Sequence, residues 1–452
     1  MATVITKTID PVTRLEGHLK VKINVSGGAV TDALASGLLF RGFETILLNR
    51  DPLDAPTISQ RICGVCHCVH RLTSILALEN AAGMVPTPNA VRIRNIEQAV
   101  TFIYSHLAHI FLLAGPDYDL YGLVPGLSEG KNVDSYNQIV KTVVLPAQRL
   151  CHEIGAIFGG KTPHHMTTLP GGVTCKPTKN AIDLALAKLG ELKALASAYL
   201  PQVHAFLESN RATLENFGRG YGNLIAFGAF ANPADPTNPA KHLLKRGVIL
   251  NGIKQALDVG KITEAVRFSW YAAGTGGYPA SEPAPQPAYA KAGAYSWIKA
   301  PRYLGAACEA GPLARMAISG LYRARASVYD RLKARLLETE LLVANVEKWI
   351  GQLVAGATVY KAFTTPTNAS GIGLWEAPRG ANGHWVRIEG SRIKKYQVIP
   401  PTNWNASPRD GAGLPGPLEK ALIGTPVADP QKPLNAMKVV RSFDPCIACS
   451  VH

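Results

Sequence analysis

The spacing of apolar and polar positions changes along the chain. Over residues 5–30 they alternate, as in HLKVKINV, and a turn at Ser26-Gly27-Gly28 follows; this period of two predicts a hairpin. From Ile58 onward the spacing becomes helical. After Pro88-Asn89, the residues Val91, Ile96, Val100, Ile103, Leu107 and Ile110 recur at helical spacing, and the run stops at Gly115-Pro116. Further helical stretches are expected over 134–158 with a kink at Pro146, over 180–209 with an interruption near Pro201, and over 312–353. Four helices of about 20 residues or more exceed the usual mean of about 11–12, which favours a bundle over a doubly wound sheet. Residues 271–297, rich in Pro, Ala, Gly and Tyr, read as a long surface loop. The expected architecture is a single domain, mainly α (α+β). It has an N-terminal β region (1–57), a helical core (58–353) and a turn-rich C-terminal region (354–452).

Composition narrows the function classes. Of 452 residues, 47% are hydrophobic and 17% charged, which excludes a disordered chain. The formal charge is +15, but no Lys/Arg run exceeds two residues, so no basic arm for nucleic acid is present. No stretch reaches the ~18 consecutive apolar residues of a membrane span; the longest apolar region is broken by Ser105, His106 and His109. The opening MATVITKTIDPVTRLEGH lacks the layout of a secretory signal, so export would depend on a partner.

Cysteines supply the candidate chemistry. Eight in 452 residues are too dilute for a disulfide scaffold. Cys151, Cys175 and Cys308 stand alone and read as buried apolar residues. Cys63-Gly64-Val65-Cys66 and Cys446-Ile447-Ala448-Cys449 form two CxxC pairs, and four thiolates make a soft metal site. Structural zinc is the commonest fate of such pairs. About 380 residues separate these two, however, which is unusual for a local folding staple. A thioredoxin-like redox pair would need a βαβ context that neither has.

The surrounding residues carry a resemblance. Arg61 to Cys66 followed by His70, and Asp444 to Cys449 followed by His452, resemble the two signatures of the nickel–iron hydrogenase large subunit. In the same order along the chain come DPVTRLEGH (10–18), RGFE (41–44), KAPRY (299–303), GPLAR (311–315), APRG (377–380) and TNWNASPRD (402–410). The resemblance spans essentially the whole chain and implies the large-subunit fold.

It further implies that Cys63, Cys66, Cys446 and Cys449 bind nickel, with Cys66 and Cys449 bridging to an iron that carries one CO and two cyanides. Glu16 is implied as the carboxylate exchanging protons with Cys446, Arg379 as the guanidinium above the metals, and Asp444 as the acid orienting it. Thr402 is implied beside the second cyanide, Pro378 and Pro401 around the CO, and His70 against a bridging thiolate. Glu44, His452 and the backbone carbonyl of Val398 are implied ligands of Mg2+, although that ion ordinarily prefers oxygen ligands and water. Val65 and Leu113 match the neck of a gas channel, while their ordinary reading is core aliphatics. A maturation endopeptidase is implied as well: the ending at His452 reads as the matured form of such a subunit.

Some positions depart from the family pattern. Ser105 stands where some members carry Asp, Asn382 where Leu is common and Pro400 where Val is frequent. Cys68 matches no ligand and reads as a spectator thiol, oxidation-sensitive if exposed.

The expected activity is reversible heterolytic cleavage of H2 to protons and electrons, in the uptake direction. No second cysteine cluster could hold an iron–sulfur centre, which needs about four thiolates, so a small subunit carrying such clusters is the expected partner. That pairing suggests a periplasmic or membrane-associated location through the partner, with a cytoplasmic cofactor-linked or H2-sensing hydrogenase as the alternative. A zinc protein or a relative of the quinone-site subunit of respiratory complex I is the remaining reading; complex I relatives lack the four cysteines.

Overall fold

A computed structural model describes residues 3–118, 133–323 and 325–452. The N-terminal pattern forms a three-stranded antiparallel sheet, Ile5–Ile9, Leu19–Ser26 and Ala29–Gly37, in sequence order. The motif DPVTRLEGH is the connection between its first two strands. It therefore leaves the sheet and reaches the far end of the chain.

Four helices pack in a cycle: Pro88–Ala108, Leu145–Gly159, Lys179–Ser209 and Val328–Gly351. The first continues through a π turn, His109–Ala114, and the second is preceded by one, Val140–Val144. Pro146 follows that wider turn, at the start of the next helical segment, where a missing backbone N–H is tolerated. By length and composition the segment Pro88–Asp117 could cross a membrane, but 78% of its most apolar window is buried inside the protein. It is the central core helix.

Several expectations are corrected. Lys179–Ser209 runs unbroken through Pro201, because the proline lies on the exposed face, where the freed carbonyl of the preceding turn meets water. The expected helix over 312–353 is two: Pro312–Ile318 ends near Gly320, which sits at φ 77°, and Ser327 and Asp330 form a capping box that starts the second. Residue 324 between them lies outside the described residues.

Most consequentially, 224–303 is not helical. It holds a sheet of Leu224–Ala226, Gly247–Leu250 and Ile253–Gln255 and a second pair, Ile262–Ala265 with Ala300–Tyr303. An Asn251-Gly252 turn with φ of 49° and 80° closes the hairpin, and that dipeptide is the signal the helical reading passed over. The chain is 42% helix and 19% strand, so it is mixed α and β rather than mainly α.

The proline-rich segment 271–297 is more than a surface loop. Tyr271 and Trp297 are buried, Phe40 stacks on Trp297 at 5.0 Å between ring centres, and the Trp297 N–H donates to the Gly37 carbonyl at 2.9 Å. The C-terminal region is likewise not mainly turns. Ala369–Ala377, Gly380–Glu389 and Arg392–Ile399 form an antiparallel sheet, buried on both faces over much of its length, so the period-two signature is absent. Ala377 pairs with Gly380, placing Pro378 and Arg379 at the hairpin tip.

The helix His67–Ala81 lies directly on the first strand of this sheet, and Gly373 makes that approach possible. A Cβ there would lie 1.9 Å from the Thr73 carbonyl oxygen. Gly373→Ala therefore forces helix and sheet apart and is expected to destabilise the fold by about 3 kcal/mol. A thermal melting temperature equal to that of the unaltered chain would contradict this packing.

Candidate metal centre

Each CxxC motif begins a helix. Cys66 caps His67–Ala81 and Cys446 caps the short turn Ile447–Ser450. All four thiols are buried, and their sulfurs lie within 4.8 Å of one another, the only such His/Cys/Asp/Glu group among the described residues. Cys63 Sγ is 3.5 Å from Cys446 Sγ, Cys66 is 3.2 Å from Cys449, and Cys446 is 2.9 Å from Cys449. The backbone N–H groups of Val65 and Cys66 point at Cys63 Sγ from 3.3 and 3.4 Å.

Hydrogen bonds from Cys446, Cys449 and Cys66 hold the Cys63 thiol well below its ordinary pKa. Burial, followed by the neighbouring sulfurs, holds Cys446 well above, and Cys449 is likewise raised by burial. Four buried thiolates so close repel one another strongly, and multivalent cations allow all of them to ionise together.

Main-chain contacts join the two extremities. The Glu16 N–H donates to the Pro445 carbonyl at 3.4 Å, and the Ile447 N–H to the Glu16 carbonyl at 2.8 Å. Gly17, at φ 82°, permits this, since a Cβ would meet Ala448 N and Ile447 Cβ at 2.9 Å. Arg41 donates to the carbonyls of Ile62 and Ala448, tying one CxxC loop to the other.

The sequence-derived residues gather around this cage. Glu16 Oε2 lies 3.1 Å from Cys446 Sγ and accepts the Ala448 N–H at 2.9 Å, while Glu16 remains partly exposed. Thr402 Oγ1 accepts the Cys446 N–H at 3.0 Å. Arg379 is buried and pairs with Asp444 at 3.1 Å, yet its Nε and Nη1 have no partner. Burial alone would raise Asp444, but Arg379, His109 and Arg335 outweigh it and hold the carboxyl at about 2. Pro378 and Pro401 are buried, the latter opening the turn Pro401–Asn405. His70 Nδ1 lies 3.2 Å from His384 Nε2, and its Nε2 is unpaired.

Glu44 and His452 meet as expected, with 3.4 Å between Oε1 and Nε2. The main chain of Val398 reaches them through its N–H, which donates to Glu44 Oε1 at 2.9 Å. Burial would raise Glu44, yet Lys299 and His452 hold its carboxyl below its usual value. Nearby Glu264 and Glu282 flank Lys299, each with one oxygen lacking a partner. Burial and the Glu264 charge push Glu282 up to about 9. Glu282 therefore carries its proton near neutral pH and would release it on binding a divalent cation.

Among the departures, Ser105 is buried with Oγ unpaired, and Asn382 donates to Thr73 Oγ1 at 2.9 Å. Pro400 immediately precedes the turn of Pro401. Cys68 is not exposed: it is buried against Thr101 Oγ1 at 3.0 Å, and burial raises its thiol far from the reactive range. Val65 and Leu113 are each only partly buried rather than core.

Comparison with known proteins matches the chain to the family model "Nickel-dependent hydrogenase" over residues 41–121, 141–324 and 319–452. The periplasmic [NiFeSe] hydrogenase large subunit of Desulfomicrobium baculatum is 38% identical, covering 98% of this chain and 94% of that one. The uptake hydrogenase large subunit of Bradyrhizobium diazoefficiens is 31% identical with the same coverage. The solved Ni-Fe-Se hydrogenase of D. vulgaris Hildenborough superposes with a TM-score of 0.92 at 37% identity, over 100% of both chains.

The chain belongs to the nickel-dependent hydrogenase family, among its large subunits. This large subunit presents four cysteines in its cage.

The hydrogenase site also contains contacts that the motifs did not expose, several of them made by residues outside every motif. Asp444 Oδ2 pairs with Arg335 at 3.1 Å, and Arg335 lies 3.1 Å from His106 Nδ1. His106 Nε2 lies 2.8 Å from Glu338, which Arg315 clamps. Arg315 also pairs with Glu376 at 2.8 Å and donates to the carbonyls of Ala377 and Pro378, holding the hairpin tip that carries Arg379. His384 and Tyr396 extend His70 inward, with Tyr396 OH 2.8 Å from His384 Nδ1. A signal existed for Arg335 and Glu338: both fall among the core positions of Val328–Gly351, where charges need partners.

Burial holds His106 at about 4, His109 at about 3 and His242 at about 4. The unfolded chain binds protons at these imidazoles near pH 6.5, whereas the native chain does not. Their contribution to stability is complete above pH 6.5 and is lost as pH falls from there through 4 and 3. Over the same range Glu282, raised to about 9, and Glu376 and Glu419, each raised by burial to about 7, hold or take up protons in the native chain and oppose this loss. A single imidazole is isolated by comparison. In calorimetry His242→Asn is expected to lose less melting temperature between pH 7 and pH 5 than the unaltered chain, and an equal loss would contradict the neutral, buried state.

Proposed function

We propose that this large subunit catalyses reversible heterolytic cleavage of H2 in the uptake direction, with Glu16 as the first proton acceptor beyond the metal ligands. The carrying observation is that Glu16 Oε2 lies 3.1 Å from Cys446 Sγ while the residue still reaches solvent. Cys63, Cys66, Cys446 and Cys449 would hold a nickel–iron centre whose iron would carry one CO and two cyanides. That centre, when bound, supplies the Lewis acidity and redox capacity for splitting H2.

The chain's own residues do the rest. Cys446 Sγ holds a proton and passes it to Glu16 Oε2 within hydrogen-bond reach. Arg379 offers its unpaired Nε and Nη1 to an anionic ligand, and Asp444 sets the plane of the guanidinium. The Thr402 hydroxyl accepts from Cys446 N–H, so its own proton is free for the second cyanide. Pro378 and Pro401 lack N–H donors and provide an apolar wall for CO. His70 Nδ1 shares its hydrogen bond with His384 Nε2, and His70 Nε2 is the ring nitrogen left for a bridging thiolate.

Glu44, His452 and the Val398 carbonyl would hold Mg2+ in the carboxyl-rich pocket beside Lys299. Electrons leave to a small subunit with iron–sulfur clusters, since Cys68, Cys151, Cys175 and Cys308 are too scattered to hold one. The pair works in the periplasm or at the membrane through that partner, as the names of the periplasmic and uptake relatives support.

Glu16→Gln is expected to retain nickel and iron while H/D exchange falls about 10²-fold. Cys446→Ser is expected to lose both nickel and activity. Exchange at the normal rate in Glu16→Gln would remove the proton assignment.

A further inference from the structure

Away from the thiol cage, a cavity of ≈ 480 Å³ opens between the helices His67–Ala81 and Pro88–Ala108 and the strand Ala369–Ala377. This is within the ~300–1,000 Å³ of small-molecule sites. Leu72, Leu76, Met84, Val91 and Leu374 give it an apolar wall. Among its polar lining, Arg246, Trp375, Asn95 and His242 are each incompletely satisfied, His242 through a buried Nδ1 that has no partner.

Arg246 spends Nε on the Phe227 carbonyl at 2.9 Å, and among the described residues no carboxylate pairs with it. Glu376, the carboxylate whose field it feels, is already engaged by Arg315 and the Phe227 N–H. Trp375 is 4% exposed, and its Nε1–H has no acceptor. Asn95 is 1% exposed; its Nδ2 donates to the Ala231 carbonyl at 2.9 Å, which turns Oδ1 the other way, where it has no donor. By contrast Arg94 in the same wall is matched by Glu79 through two bonds of 3.0 and 2.8 Å. The net charge left over in the cavity is therefore the positive one of Arg246.

Buried polar groups without partners are costly and rare. Such groups beside an uncompensated guanidinium, facing a wall of aliphatic side chains, describe the complement of an amphiphilic anion. We infer that this cavity binds a small apolar carboxylate, with its hydrocarbon part against the Leu72–Leu76–Met84 wall and its carboxylate taken by Arg246 and the Trp375 N–H. A water retained beside Asn95 Oδ1 completes the set. The site is separate from the metal ligands and needs none of the H2 chemistry.

Calorimetric titration of the purified heterodimer with octanoate tests it, with n-octanol as the uncharged probe of the same length. Saturable binding is expected for octanoate, about tenfold tighter than for octanol, because the charge-assisted bonds are lost with the carboxylate. Leu76→Trp fills the cavity and is expected to abolish binding while H2 oxidation continues at the normal rate. Arg246→Gln is expected to weaken octanoate about tenfold and leave octanol unchanged. Should the arginine variant fail to fold, the leucine variant and the octanol comparison decide alone. No saturable octanoate binding, equal affinities for the two probes, or undiminished binding in Leu76→Trp would each overturn the proposal.

Discussion

The convergence of two thiol pairs, 383 positions apart for Cys63 and Cys446, is the constraint on which the rest of this structure depends. Bringing the extremities of so long a chain together has an entropic cost that local contacts do not repay. The protein meets it with packing that does not rely on the sulfurs. The connection carrying Glu16 bonds to Pro445 and Ile447, Arg41 spans both CxxC loops, and the Val451 and His452 carbonyls accept from Arg41 and Gly42. The cage is thus assembled by folding, and the thiols arrive already grouped for metal.

A second constraint follows from burial. Arg379 stands over the cage with two donors unspent, an arrangement that persists only because the surrounding charges fix it. Asp444, Arg335, His106, Glu338, Arg315 and Glu376 form a continuous buried chain of ion pairs and hydrogen bonds, each compensating the next. Buried pairs of this kind contribute little net stability, but removing one partner is severe. Their role here is positional: Arg315 grips the backbone of the hairpin tip, and Asp444 sets the guanidinium. Around Lys299 the arrangement is the converse, with Glu44, Glu264 and Glu282 gathered on one buried lysine and burial keeping a proton on Glu282.

Much of the site was legible before the fold was known, because its residues sit in short motifs whose order survives along the chain. Glu16, Glu44, Arg379, Thr402 and both CxxC pairs belong to such segments, and all converge. The partners on Val328–Gly351 were not legible in this way, since Arg335 and Glu338 look like the solvated charges of an amphipathic helix until burial is known. The long helices followed from their period. Pro201 misled because its cost depends on which face it occupies, and the strands within 224–303 are too short to show alternation. The C-terminal sheet concealed itself by being buried on both sides.

The central claim is that the four sulfurs hold a nickel–iron centre with diatomic ligands. Infrared spectroscopy of the purified heterodimer, paired with elemental analysis, tests it most directly. Nickel and iron bound to this chain together with CO and cyanide stretching bands are the predicted result. Zinc in their place, with no such bands, would contradict the account.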